Sequence, residues 1–75
     1  MEEFAVVLVE STNQAMRIEH LLNLSGIQSK LMPVPKFLSS NCGNCLRIDL
    51  NDIDKVKFVI EKNHIQIDRI EIVQM

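Results

Sequence analysis

The sequence predicts an α+β fold in which two helices cover one face of an antiparallel sheet, with the element order β-α-β-β-α-β. Three observations support this prediction. The run Phe4–Val9 is short and continuously apolar; Leu46, Ile48 and Leu50 alternate with polar residues; and two other segments repeat apolar residues at helical spacing. Strand-like and helix-like segments succeed one another in that order along the chain, so one sheet and two helices account for most of the sequence.

The first strand and the first helix are indicated by residues 4–26. Because Phe4–Val9 is apolar at every position, we expect a strand that is buried on both faces at the centre of a sheet. Ser11 and Gln14 fit a capping box, in which each side chain satisfies a free backbone donor at the start of a helix. Gly26 is suited to end that helix, since glycine tolerates a positive φ. The apolar stripe of the helix consists of Ala15, Ile18, Leu21 and Leu22.

The middle of the chain predicts two strands joined by a long connection. Residues 27–32 resemble a second strand, but Pro33 cannot donate a hydrogen bond to a neighbouring strand, so this strand is expected at the edge of the sheet. Residues 34–45 form the connection. The alternation of Leu46, Ile48 and Leu50 then predicts a half-buried strand.

A second helix and a last strand complete the order. We expect Asn51 to cap the helix, with Asp52 and Asp54 in its first turn, where carboxylates favour the helix dipole. The last strand lies within residues 65–73, and a bulge or a late strand start at Asp68-Arg69 would explain why its apolar alternation slips. The order is that of the ferredoxin-like sandwich. The apolar face of the second helix is Ile53, Val56, Val59 and Ile60.

In such a sandwich the first strand has one face toward the helices and one face open. If Val6 and Leu8 face the helices, Val7 and Val9 leave an apolar patch on the open face, and such patches commonly mark interfaces. We therefore expect a homodimer or a docked partner on this face. The alternative is that the stems of neighbouring charged side chains cover the patch.

Length and composition predict a single domain over residues 1–75. Hydrophobic residues make up 47% of the chain and charged residues 24%, which is ordinary globular usage. The longest apolar run is too short for a signal peptide or a membrane span, so we expect a cytoplasmic protein with reduced thiols. The net charge is −2, yet no acidic residue lies between Glu19 and Asp49. With three Phe and no Tyr or Trp, the chain lacks the stacking aromatics of a nucleic-acid-binding surface.

Both cysteines, Cys42 and Cys45, form a CxxC motif, which has several interpretations. Structural zinc needs about four ligands, and the two histidines are not at finger spacing from the motif, so a zinc site would have to be shared across a dimer, and no metal or other cofactor is expected in a single chain. A thioredoxin-like dithiol would follow a strand and begin a helix, whereas this motif precedes a strand. Both cysteines could also be small apolar residues that fill a turn.

Local features favour a reactive thiol at the first cysteine. Ser39 or Ser40 could cap a single helical turn that reaches Cys42, and Lys36 or Arg47 would favour its thiolate. Gly43 would then end the turn and leave the thiol uncrowded.

The strand alternation separates the two cysteines. If Leu46 and Ile48 face the helices, Cys45 and Arg47 lie on the opposite face. Cys42 is then an exposed thiol in the loop, whereas Cys45 is a packing or resolving thiol in the strand.

The order of these motifs resembles a family of small selenium/sulfur carrier proteins. The resemblance rests on MPVPK at residues 32–36, on SSNCG at residues 39–43 before a hydrophobic strand, and on the early Ser11-Thr12. It implies a thiol that accepts sulfur or selenium as a persulfide or selenosulfide and passes it on. By motif position that thiol is Cys42.

The resemblance also assigns roles around this thiol. Ser39, Ser40 and Gly43 match positions that shape the loop, and Lys36 stands where an arginine is usual. Cys45 stands where the family usually has a small aliphatic residue. A second thiol there could attack a Cys42 persulfide, release sulfide and leave a disulfide.

Three functions are therefore open. The chain could be a sulfur or selenium carrier that uses Cys42, a non-catalytic interaction or small-ligand-binding module with structural cysteines, or a dithiol redox switch through Cys42 and Cys45. A carrier or binding protein is favoured over a stand-alone enzyme, because no phosphate loop or hydrolase motif is present in the sequence. The expected partners are a protein donor and a protein acceptor of the sulfur or selenium, without nucleic acid or membrane.

Overall fold

The computed structural model describes residues 2–75 and has the predicted order of elements. Four strands and two helices follow one another as β-α-β-β-α-β, with one short 3-10 turn before the second helix. The fold class is therefore confirmed as an α+β, ferredoxin-like sandwich. The elements are β1 (Glu3–Leu8), α1 (Thr12–Leu24), β2 (Ser29–Pro33), β3 (Asn44–Ile48), the 3-10 turn (Leu50–Asp52), α2 (Ile53–Lys62) and β4 (Arg69–Gln74).

The sheet has the order β2-β3-β1-β4, and every neighbouring pair is antiparallel. The central position of β1 explains why its residues 4–8 are all apolar, since side chains on both faces of the strand are buried there. Pro33 ends β2, which is an edge strand, as the missing N–H of proline requires. β4 begins only at Arg69, so the late strand start is confirmed, and Ile65 and Ile67 precede the strand.

The helix boundaries agree with the sequence at one helix and differ at the other. Ser11 caps α1 by accepting the N–H of Gln14 at 3.2 Å, and Gly26 follows the helix with φ of 75°. The prediction that Asn51 caps α2 is wrong. Its N–H instead donates to the Asp49 carboxylate at 2.8 Å, because a 3-10 turn delays the start of the α-helix.

The core consists of two apolar clusters, one on each face of the sheet. The helix-side cluster lies between the sheet and the helices, and the open-face cluster lies on the other face. The helix-side cluster contains Ala5, Val7, Val9, Ala15, Ile18, Leu22, Ile27, Cys42, Leu46, Ile48, Val56, Val59, Ile60 and Ile65. The open-face cluster contains Phe4, Val6, Leu8, Cys45 and Val73.

These clusters correct the predicted phase of β1. Val7 and Val9 face the helices, and Val6 and Leu8 face away from them. Alternation could not decide the phase, because both faces of this strand are apolar. The side chains of this segment that face the helices, which include Ala5, have a smaller volume than those on the open face. The helices can therefore pack close to the sheet.

The connection between β2 and β3, residues 34–43, crosses the open face and is called the strap below. Val34 and Leu38 of the strap pack against the open-face cluster. At the other end of that face, the Arg47 guanidinium lies 4.0 Å from the Phe4 ring centroid and pairs with Glu2 at 3.0 Å. The open face is thus covered by the strap and by a charged side chain. A homodimer on this face stays a prediction, and it would have to form over the strap.

Candidate functional site

Cys42 lies at the end of the strap, where three elements meet. Its Sγ is 3.7 Å from Oγ1 of Thr12, the first residue of α1, and β3 starts two residues later. The side chain packs into the helix-side cluster and is 9% exposed. The predicted loop position of Cys42 is confirmed, but its predicted exposure is wrong. The strap turns this side chain inward, where apolar neighbours of β1 and α1 receive it.

The strap around Cys42 is built from turns rather than from a helix. The Cys42 N–H donates to Ser40 Oγ at 3.2 Å, the pattern of a serine turn. The N–H of Val34 donates to the carbonyl of Gly43 at 3.0 Å and extends the pairing of β2 with β3 by one step. The predicted helical turn capped by Ser39 or Ser40 is therefore wrong, since residues 41–43 are bends.

The helix N-terminus nearest to Cys42 is that of α1, rather than that of a turn within the strap. The first amides of a helix have no intrahelical partner and carry partial positive charge. The Ser11 hydroxyl accepts the N–H of Gln14 at 3.2 Å, and the Ser11 carbonyl accepts the N–H of Ala15 at 3.1 Å. Ser11 does not bind the backbone N–H groups of Thr12 and Asn13, the first two residues of the helix. Cys42 Sγ thus lies beside the first residue of α1, at the end of the helix that carries the partial positive charge.

The Thr12 hydroxyl contacts both Cys42 Sγ and the side chain of Asn44. Asn44 Nδ2 donates to Thr12 Oγ1 at 3.3 Å and so occupies a lone pair of this oxygen. A hydroxyl has one proton and two lone pairs, so with one lone pair bound to the amide the Thr12–Cys42 contact can run in either direction.

Cys45 has a different environment on the other face of β3. It is fully buried in the open-face cluster, and its S–H points to the carbonyl of Pro33 at 4.0 Å. Burial, and secondarily the charge of Cys42, raise the pKa of Cys45 to about 11. The predicted split into a loop thiol and a strand thiol is confirmed. At neutral pH Cys45 is a protonated packing residue and a poor nucleophile.

The raised pKa of Cys45 predicts a loss of stability in alkali. Below its ordinary pKa of 9.0, the folded and unfolded chains both hold the proton, and the contribution of the buried thiol is fully present. Between 9.0 and about 11, the unfolded chain ionises first, so the free energy of unfolding falls by about 2 to 3 kcal/mol. Urea midpoints measured against pH should show this decline, which the variant Cys45→Ala should lack. Parallel curves for the two proteins would contradict the prediction.

The other residues predicted for the site are only partly brought together. Ser39, Ser40 and Gly43 surround Cys42 in the strap, but Gly43 does not adopt a positive φ, and a Cβ there would meet no atom within 4 Å. Lys36 is exposed on the turn of the strap. Arg47 stacks on Phe4 and lies on the face of Cys45, away from the Cys42 side chain.

Two further residues contribute to the site without a sequence signal. Arg69 Nη2 donates to the Ser39 carbonyl at 2.7 Å, and Asn44 holds the Thr12 hydroxyl at 3.3 Å. Both contacts join residues about thirty positions apart. Thr12 itself was signalled by the early Ser11-Thr12 of the family resemblance.

Within residues 2–75, no three His, Cys, Asp or Glu side chains come together in a group that could hold a metal ion. Over that range, neither helix is long and apolar enough to cross a bilayer.

Comparison with known proteins gave one match. The model of a family described as "Putative Se/S carrier protein-like" matches residues 4–71, which include Thr12, Cys42, Cys45 and Arg69. No curated protein and no solved structure matched the chain.

Proposed function

Because the chain belongs to the putative Se/S carrier protein-like family, we propose that it carries sulfur or selenium on Cys42. The loaded form is a Cys42 persulfide or selenosulfide. A protein donor supplies the atom and a protein acceptor removes it, in a compartment such as the cytoplasm where thiols stay reduced. The observation that supports Cys42 over Cys45 is the position of its sulfur, 3.7 Å from the Thr12 hydroxyl at the start of α1.

Loading is a thiol exchange that needs no external oxidant. The Cys42 thiolate attacks the outer sulfur of a donor persulfide, a new S–S bond forms, and the donor's own S–S bond breaks. The donor cysteine leaves as a thiolate and takes up a proton, while the outer sulfur keeps its oxidation state. Selenium transfer follows the same balance with a selenosulfide. Unloading is the same exchange, with the acceptor thiolate as the attacking group.

The surroundings of Cys42 suit both steps. Cys42 Sγ lies beside the Thr12 hydroxyl at the start of α1, so a hydroxyl and the positive end of a helix are near the sulfur that gains and loses charge during the exchange. Only 9% of the Cys42 residue surface is exposed, which limits contact of the thiol with small molecules in solution. A carrier requires both a reactive thiol and protection between transfers.

The arrangement of the two cysteines argues against a dithiol switch. A disulfide needs Cβ atoms about 4 Å apart and on the same side of the chain. The Cys42 side chain lies in the helix-side cluster and the Cys45 side chain in the open-face cluster, with β3 between the clusters. For the same reason, Cys45 is poorly placed to attack a Cys42 persulfide and release its sulfur.

Loading followed by peptide mapping tests the proposal. The protein is incubated with a cysteine desulfurase and cysteine, or with selenocysteine in place of cysteine, and its cysteine peptides are analysed by mass spectrometry without reduction. We expect one added sulfur or selenium atom on the Cys42 peptide and none on Cys45. An added atom on Cys45 alone would reverse the assignment. No added atom on either cysteine would favour the interaction module with structural cysteines.

A further inference from the structure

Access to Cys42 depends on the tip of the strap, residues 39–43. Because Cys42 is itself part of the strap and is 9% exposed, a protein donor can reach its sulfur only if this tip moves outward. Besides Thr12, which contacts Cys42 Sγ at 3.7 Å, two side chains outside the strap hold the tip. Arg69 donates to the Ser39 carbonyl at 2.7 Å, and Asn41 donates to the Glu10 carboxylate at 3.3 Å.

The Arg69 guanidinium is fixed from the sheet side. Its Nη1 pairs with Asp68 at 2.7 Å and its Nε lies 3.7 Å from Glu71. The residue pairs with Leu8 in the β1–β4 ladder, so its backbone is part of the rigid sheet. Two carboxylates and a paired backbone therefore aim the remaining Nη2 at the strap.

The rest of the strap has an independent anchor. Val34 and Leu38 pack against the open-face cluster, and the N–H of Val34 is bonded to the Gly43 carbonyl. Loss of the Arg69 contact would therefore loosen the tip at Ser39 without unfolding the sheet. The Arg69 bond is the shorter of the two side-chain tethers and the one made by a charged donor.

We propose that Arg69 is a positioning residue that closes the strap over Cys42 and sets how often the thiol is accessible to a protein donor. The inference rests on the proposed function, because it assigns the access step of the same thiol. A donor that reaches Cys42 must compete with the Arg69–Ser39 bond. After the donor leaves, reformation of that bond returns the loaded sulfur to its shielded position.

The alkylation rate of Cys42 in the folded protein tests the closure by itself. We expect Arg69→Gln to raise the rate of labelling by iodoacetamide roughly tenfold, the size expected for one charge-assisted hydrogen bond that is partly exposed. Arg69→Lys should restore most of the slow rate, since an ammonium can still donate to a carbonyl. Arg47→Gln is the matched control: its side chain has the same 37% exposure, but it pairs with Glu2 instead of the strap.

A purely structural role of Arg69 would give different results. Cys45 is buried and is labelled only when the whole molecule unfolds. In Arg69→Gln, the labelling rate of Cys45 and the urea midpoint should therefore not change in proportion to the labelling rate of Cys42. Should Arg69→Gln fail to fold, Asn41→Ala loosens the other tether without touching β4 and should raise Cys42 labelling in the same direction. Unchanged Cys42 labelling in every folded tether variant would overturn the proposal.

Loading separates this inference from the proposed function. Transfer from the desulfurase to Arg69→Gln should be faster than to the native chain, and the loaded atom should be lost faster to added small thiols. If no variant accepts sulfur or selenium while the labelling difference is present, the carrier function fails and the closure by Arg69 stands. If all variants load and label at the native rate, the carrier function stands and the closure fails.

Discussion

A chain with serine in place of Cys42 is expected to accept no sulfur or selenium at all. The hydroxyl is close in size to the thiol and can keep the contact to Thr12, so Cys42→Ser should fold like the native protein. It lacks the nucleophile, however, because an alcohol at neutral pH has almost no anionic form. Loading by the desulfurase, followed by intact-protein mass spectrometry, should show the unmodified mass alone.

The control for this experiment is Cys45→Ala. The free energy of unfolding of this variant should be lower by about 1 kcal/mol, because the substitution leaves a small cavity in the open-face cluster. It should load to the native extent, since Cys45 lies on the other face of β3 from the Cys42 side chain. A Cys42→Ser protein that still carries the atom on Cys45 would contradict both the assignment and the separation of the two thiols.

The position of Cys42, the thiol proposed to carry the atom, on a strap has a physical reason. A cysteine within β3 is held by the ladder and buried between neighbouring side chains, as Cys45 is, and desolvation raises its pKa to about 11. A cysteine two residues before the strand can instead meet the first turn of α1, as Cys42 does beside Thr12. It can also leave that place when the strap moves, which no strand residue can do without breaking the sheet.

The sequence predicted the fold well because periodicity and turn chemistry are local. The apolar run of β1, the Ser11 cap and Pro33 at the edge of the sheet each depend on a few neighbouring residues, and each is confirmed. The separation of Cys42 from Cys45 was predictable for the same reason, since alternation along β3 decides which face Cys45 occupies.

What the sequence could not predict depends on contacts between distant residues. The phase of β1 was wrong because both of its faces are apolar, so only packing against the helices decides it. The burial of Cys42 follows from the path of the strap. The contact of Arg69 with Ser39 joins residues that no local pattern connects. These features shape the surroundings of the thiol rather than its identity, so the candidate residue could be named before its environment was known.

Of the substitutions proposed, Leu8→Ala should lower the stability of the protein most. Leu8 is fully buried at the centre of the sheet, in the open-face cluster that Leu38 of the strap covers. We expect Leu8→Ala to lower the free energy of unfolding by about 3 kcal/mol, from the lost transfer energy and the cavity left behind. The total free energy of unfolding of a chain of this length is roughly 4 to 11 kcal/mol, so the urea midpoint should fall steeply.

Leu24→Ala is the matched control for this change, because it removes the same atoms from a leucine that is 72% exposed at the end of α1. Its effect should stay within about 0.5 kcal/mol. If Leu8→Ala were equally mild, the open face would not be a packed second core, and the strap would have no apolar base. Since the strap carries Cys42, the packing of Leu8 should also affect the thiol: folded Leu8→Ala should expose Cys42 to iodoacetamide more than Leu24→Ala does.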